Sequence, residues 1–520
     1  MIDLEQARPS PLTRQSMSGA VWLLSQTLAW KSVTLASQVV LAYLLSPADF
    51  GYISLALAVT AFGSVLYQNG LAHVLVQRRD KMSGLADQAF WLSMIMAAGA
   101  TLILVAVAPI AGLLFKAPEV RNLIWVLAAA PLVDAASVVP RARLIADLEF
   151  AKTARINGAQ IILQSLLSVL FAWLGFSYWS FAVPVPLASL VALGLYCRHH
   201  SLQVHGPRRS NDWPSLTRDT AYLVGTTWLT VIVEQGDYFL LGLLVAPSAV
   251  GVYFFAFRLS SQSVRIVAMN IGRVLFPVLV RLPIGSRRQY LAFVRAVRAL
   301  SGVGVPIAVA GAIYGADIVG LLFAPRWQGA APLLQILCIA AAIRTVTDTH
   351  IHLLKAQGRY RDLLRFNLVA TPLFLVVVPL GAWTGGVVGV AWAVVVHAVA
   401  SGWLRYFFSV RPVGGTFWEL GRILTPPTAA AAVPGLLSMA VSSAWFGWQA
   451  PSAARMCLGL TVTAACYLPL LRVLSSETSE QVWAVLEHLL RPLRRRLGGA
   501  EQGTAGAQEA TRTPEESRRT

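Results

Sequence analysis

Apolar positions dominate this chain in long unbroken runs rather than in alternation. The runs fall at roughly residues 17–45, 48–77, 86–115, 118–140, 156–175, 177–197, 219–245, 248–280, 292–323, 328–354, 364–382, 385–408, 423–447 and 453–474. A helix of about 20 apolar residues crosses a hydrocarbon core. The pattern therefore predicts an all-α, polytopic membrane protein with about fourteen transmembrane helices. Several runs exceed the bilayer thickness, so those helices must tilt, kink or protrude. The short alternating segments of a membrane β-barrel are not the pattern seen.

The punctuation between runs repeats. Ser46-Pro47-Ala48-Asp49-Phe50-Gly51 opens one long run, and Ala246-Pro247-Ser248-Ala249-Val250-Gly251 opens another two hundred residues later. Pro47 corresponds to Pro247 and Gly51 to Gly251. Ala117-Pro118 and Ala324-Pro325 form a second pair in the same order. Internal repeats of this kind mark many membrane transporters, with the substrate between them. The expected organisation is a polar segment (1–16), an N-lobe of six helices (17–200), a linker (201–218) and a second six-helix lobe (219–410). Two further helices (411–474), an interfacial amphipathic segment (475–497) and a disordered tail (498–520) follow. The run from Met17 is too long for a cleavable signal peptide and lacks a small-residue cleavage site.

Composition agrees with the pattern: 56% of the 520 residues are hydrophobic and 13% charged, against about 25% charged in soluble domains. Mean hydropathy is +0.62. The net charge of +18 could suggest nucleic acid, but its placement argues against that. Of 42 Lys and Arg, 33 fall at the termini or in the even-numbered connections; only Lys116, Arg121, Arg326 and Arg455 fall in the odd ones. Positive charge marks the cytoplasmic side. Both termini are expected there, and the excess charge would meet anionic membrane lipids rather than nucleic acid. Cys197, Cys338, Cys457 and Cys466 are scattered and show no metal-ligand spacing. Neither a metal nor a cofactor is expected. Phosphate-loop, zinc-protease and nucleophile-elbow signatures do not occur, so no catalytic residue is assigned.

Polar residues inside the runs are the candidate chemistry, because intramembrane charge is costly and marks a cavity or a partner. Thr27, Lys31, Thr34 and Gln38 share one face of the first helix, and Asn157, Gln160, Gln164 and Ser168 share one face of the fifth. Arg258 and Arg265 share a face of the eighth. These residues, Ser168 apart, form the expected substrate-binding set, with the cations taking an anionic group. Trp30 and Tyr67 would stack on sugars. Polar stripes can instead knit helices together. Glu234, Asp237 and Asp134 are candidates for ion coupling, with Asp237 placed toward the outer interface, where charge costs less. Arg344 and Asp348, four apart, are expected to form a structural ion pair.

Residues 13–80, which include WLLSQTLAWKSVTLASQVVLAYLLSPADFGYISLALAVTAFG, closely resemble the N-terminal part of oligosaccharide flippases of the polysaccharide-transporter family, nearest the colanic-acid-exporter branch. Glu234-Gln235-Gly236-Asp237-Tyr238-Phe239-Leu240-Leu241-Gly242 and Val250-Gly251-Val252-Tyr253 resemble that branch too. The similarity spans about residues 13–410. It implies a superfamily that includes MATE antiporters and lipid II flippases, two six-helix lobes around a central cavity, and alternating access. It further implies a lipid-linked oligosaccharide substrate, no enzymatic activity, and a polysaccharide polymerase or export machinery as a partner. A MATE-like drug or cation antiporter is the alternative. A membrane glycan polymerase, which would carry a large outer loop, and a non-transporting assembly scaffold are weaker ones.

Overall fold

A computed structural model describes residues 30, 32–68, 75, 82–147, 149–199, 213–411, 418–446, 453–484 and 487. Among them every regular element is helical. The N-lobe contains α1 (Ser32–Leu44), α2 (Pro47–Gln68), α3 (Met82–Leu114), α4 (Pro118–Leu127), α5 (Ala130–Ala136), α6 (Val138–Ala146), α7 (Phe150–Trp173), α8 (Trp179–Ala182) and α9 (Pro184–His199). The second lobe contains α10 (Trp213–Leu244), α11 (Pro247–Val280), α12 (Arg287–Leu322), a 3-10 turn (Pro325–Trp327), α13 (Ala330–Thr347), α14 (His350–Ala356) and α15 (Tyr360–Ser409). Then come α16 (Trp418–Phe446), α17 (Ala453–Leu474) and a short α18 at residues 476–484. Where the predicted apolar segments fall on described residues, they are largely helical. Nine helices among the described residues are long and apolar enough to cross a membrane, or ten with the bent 118–146 pair. The chain is a multi-pass membrane protein.

Local sequence explains where helices begin and break. Pro47, Pro118 and Pro247 occupy the first helical position, where their missing N–H costs nothing and their fixed φ suits the turn. The segment expected as one helix over 118–140 is instead three pieces, with a 43° bend between residues 118–136 and α6. Pro131 and Pro140 fall inside this stretch, and each removes a helical donor. The runs 364–382 and 385–408 form the two legs of α15, which turns back at Gly385 and Gly386. Gly386, at φ 55° and ψ −135°, adopts a backbone conformation closed to residues with a Cβ.

The two lobes meet at the repeat found in the sequence. A Cβ placed on Gly51 would overlap the Pro247 carbonyl, and one on Gly251 would overlap the Pro47 carbonyl. The contact is reciprocal, as a pseudo-two-fold axis between α2 and α11 requires. Aromatic rings surround it. Phe50 stands edge-on to Trp327 at 4.9 Å and to Phe255 at 6.1 Å, and Phe255 lies 4.4 Å from Trp327. Trp327 Nε1 donates to the Ala42 carbonyl at 2.7 Å, and Arg326 donates to the Tyr43 carbonyl beside it. Phe115 packs on Phe239 at 5.4 Å. All these bridges lie at the end of the bundle that is poor in Lys and Arg.

The last two long helices dock on the outside of the second lobe. Asp317 of α12 and Arg455 of α17 are both buried and form a two-armed ion pair, with Nε to Oδ2 at 3.1 Å. Nearby, the Tyr314 hydroxyl contacts Ser438 Oγ at 2.7 Å and the Gly435 carbonyl at 3.1 Å on α16. The segment after α17 begins with α18, whose Val482 is buried and fills the space over Gly302 of α12. The basic run near Arg494 and the tail lie outside the described residues.

Candidate functional site

Polar side chains gather in one cluster in each lobe. In the N-lobe, α1 comes against α7: Trp30 packs where a Cβ on Gly158 would sit, and Thr34 returns its hydroxyl to the Trp30 carbonyl at 3.0 Å. Trp30 is thus a packing residue here. Gln38 is half-buried. On α7, Asn157 accepts from the Tyr196 hydroxyl at 2.8 Å, and Gln160 donates to Ser189 Oγ at 3.2 Å, both on α9. Asp134 of α5 reaches the same Ser189. Asn157 and Gln160 therefore tie α7 to α9 through hydrogen bonds. Gln164, one turn on, is half-buried.

The second lobe's cluster is built by α10, α11 and α13. Asp237 is 2% exposed, buried among neighbouring helices. Seven residues before the end of α10, it lies about 10 Å along the helix from that end. Its carboxylate accepts from the Tyr253 hydroxyl at 2.8 Å and from the Tyr238 N–H at 2.9 Å. These two donors supply hydrogen bonds in place of the water lost on burial. Arg344 of α13 acts electrostatically on both Asp237 and Tyr253. Asp348, expected to pair with Arg344, lies in the turn after α13 and forms an ion pair with Arg405 of α15. Asp348 keeps helical backbone at the end of α13, its N–H donating to the Arg344 carbonyl at 2.9 Å, while its carboxylate meets the Arg405 guanidinium.

Arg258, eleven residues into α11, is half-buried with its guanidinium over the Phe254 ring at 5.6 Å. Glu234 is exposed, one turn before Asp237. Lys31 and Thr27, and the side chains of Arg265 and Tyr67, lie outside the described residues. His397, whose ring bonds the Ala370 carbonyl at 3.2 Å, is packed against Phe374. Sequence reasoning missed two residues, Tyr253 and Asp317. Tyr253 could have been suspected, because a phenol six residues past Pro247 faces the same lobe interior as Asp237. Among the described residues no three metal-ligating side chains cluster.

Comparison with known proteins agrees with this architecture. The chain is 23% identical over 423 residues to the lipopolysaccharide biosynthesis protein WzxC of Escherichia coli (strain K12), covering 78% of this chain and 83% of that one. It is 26% identical over 364 residues to the succinoglycan biosynthesis transport protein ExoT of Rhizobium meliloti (strain 1021), covering 69% and 73%. Among solved structures, the lipid II flippase MurJ in an inward closed conformation superposes with a TM-score of 0.71 at 11% identity, over 87% of this chain and 98% of that one. An inward-facing MATE multidrug transporter superposes at 0.58 with 15% identity, over 75% and 98%. These two establish a shared fold. The profile of the polysaccharide biosynthesis protein family matches residues 40–332, more than half the sequence, and with the paired lobes and the Gly51–Gly251 crossing it places this chain in that family.

Proposed function

We propose that this protein is a flippase that carries a polyprenyl-pyrophosphate-linked oligosaccharide from the inner to the outer leaflet of the bacterial cytoplasmic membrane. The observation that carries the reading is the lobe contact: two repeats touch through paired glycines, with their bridges gathered at one end. Lobes joined there can part at the other end and admit a polar headgroup while the prenyl tail stays in lipid. Rocking about that contact would expose the cavity to each side in turn. The reaction moves a substrate and makes no covalent bond, so the protein is a transporter rather than an enzyme.

In this reading Lys31, Arg258 and Arg265 take the pyrophosphate. A guanidinium offers phosphate oxygens a two-armed fork. Thr27, Thr34, Gln38, Asn157, Gln160 and Gln164 supply hydrogen bonds to the sugars, with Asn157 and Gln160 exchanging their α9 partners for them. Glu234, Asp237 and Asp134 are the groups available for ion coupling. Arg258→Ala is expected to leave the protein at normal level in the membrane and to reduce surface glycan by at least tenfold; Arg258→Lys should restore part of it, because it keeps the charge and loses the fork. Measuring abundance and surface glycan together is the test. Full export by Arg258→Ala would remove this residue from the substrate path.

The orientation has its own expected outcome. In a background without the four native cysteines, a cysteine at 116, an exposed position, should react with an impermeant reagent in intact cells. One at 208 should react only after the membrane is opened. Labelling at 208 from outside would invert the topology.

A further inference from the structure

Helix α1 ends on two carbonyls that its own chain does not satisfy. In a continuing helix the Ala42 carbonyl would accept from the N–H of residue 46, and the Tyr43 carbonyl from that of residue 47. The Ser46 N–H instead donates to Asp49 Oδ2 at 2.8 Å, and residue 47 is a proline, with no N–H to give. Both carbonyls are met from the other lobe. Trp327 Nε1 donates to the Ala42 carbonyl at 2.7 Å, and the Arg326 guanidinium donates to the Tyr43 carbonyl. The 3-10 turn of the second lobe thus caps a helix of the first.

The two caps differ in weight. Trp327 and Ala42 are fully buried, whereas Arg326 and Tyr43 are exposed. Water can take the place of Arg326, but it cannot reach Ala42 while the lobes stay together. A buried carbonyl without a donor bears its full desolvation penalty. The repeat has no such device at its other helix end. Counting from Pro118 as from Pro325, Glu119 and Val120 stand where Arg326 and Trp327 stand, and neither side chain has an N–H. Ala249 takes the place of Asp49, and Gly242, which matches Ala42, lies against Leu55 and Phe115. The repeat covers the end of α10 with apolar groups, so polar caps are not a requirement of the shared motif.

We propose that Trp327 and Arg326 are the outer latch of the transport cycle, with Trp327 its main bolt; this rests on the alternating-access reading above. Opening the outer end draws the 3-10 turn away from α1. Both hydrogen bonds then break, and the Trp327 ring leaves Phe50, whose centroid lies 4.9 Å away in the closed form. Water entering the opened exit solvates the two carbonyls, so the loss of a cap is costly only while the lobes are closed. The latch grips the helix that carries Thr34 and Gln38, with Gln38 one turn before Ala42. It therefore ties closure of the exit to the proposed sugar-binding face.

Double electron–electron resonance on the full chain in lipid nanodiscs, without its native cysteines, tests this. Spin labels go at residues 176 and 322, exposed positions on opposite lobes. The Ser177–Asp49 hydrogen bond puts the first label at the latch end of the bundle, and the second ends α12 just before the 3-10 turn. Closed and open exits should give a short and a long distance. Trp327→Phe keeps a ring in the cluster and removes the donor. It should raise the ratio of long to short by about tenfold, the factor that one unmet buried carbonyl supplies. Arg326→Met, an exposed change that leaves the packing alone, should raise it less, and it carries the test if Trp327→Phe does not fold. Both distances in the starting protein with no change of ratio in the folded variant would overturn the latch and leave the rocking of the lobes standing. A single distance in every variant would overturn both.

Discussion

Gly51→Ala and Gly251→Ala should each cut export at least tenfold, and the double variant should abolish it. At both positions the added Cβ meets a backbone carbonyl of the facing helix, well inside van der Waals contact. A clashing side chain can rotate away, but a helical carbonyl cannot without moving its helix. The α2–α11 crossing must therefore open, and the ring cluster of Phe50, Phe255 and Trp327 must open with it. Overpacking of this kind costs about 1–3 kcal/mol, and more where backbone is involved. The expected loss has two forms. Low membrane abundance would mean that the contact is needed to fold; normal abundance with lost export would mean that it is needed in the working cycle. Gly99→Ala and Gly194→Ala are the controls, since nothing lies within 4 Å of a Cβ at either. There alanine should be neutral or should stabilise by up to about 1 kcal/mol through helix propensity. Normal abundance together with normal export in Gly51→Ala would mean that the lobes do not touch there.

Asp317→Ala should be the most damaging single change outside the lobe interface. It leaves Arg455, 3% exposed, as a buried cation without its carboxylate. Breaking a buried pair from one side costs about 3–5 kcal/mol, because the desolvated charge remains. The damage should be local at first: α16 and α17 lose their main polar tie to α12 and keep the weaker Tyr314 contacts. Thermal melting in detergent, with protease sensitivity of the 412–417 connection as a second readout, measures it. Removing both charges should behave differently. Asp317→Leu with Arg455→Met replaces the pair by apolar groups, which is often neutral or stabilising, so most of the lost stability should return. An unchanged melting temperature in Asp317→Ala would show that the pair contributes nothing.

Helices, their approximate ends, and the repeat were legible in the sequence by itself. Run length against bilayer thickness gave the class, and proline positions gave the helix starts at Pro47, Pro118 and Pro247. These are local properties, written within a few turns of chain. The correspondence of Gly51 with Gly251 was legible too, because a repeat is a comparison of the chain with itself. Which groups meet across the bundle was decided by tertiary structure alone. Nothing near Pro47 states that its carbonyl lies against Gly251, only that the two motifs are alike. Asp348 pairs with Arg405, 57 residues away, a partner that only the packing of α15 against the end of α13 brings within reach. Asp317 and Arg455, 138 residues apart, meet only because α17 docks on α12. The Tyr253 hydroxyl and the Arg344 charge that face Asp237 come from other helices, α11 and α13. Hydrophobic periodicity records how much of each helix faces lipid or protein. It carries no information on which polar group stands opposite, since that depends on how the helices are arranged around the lobe axis.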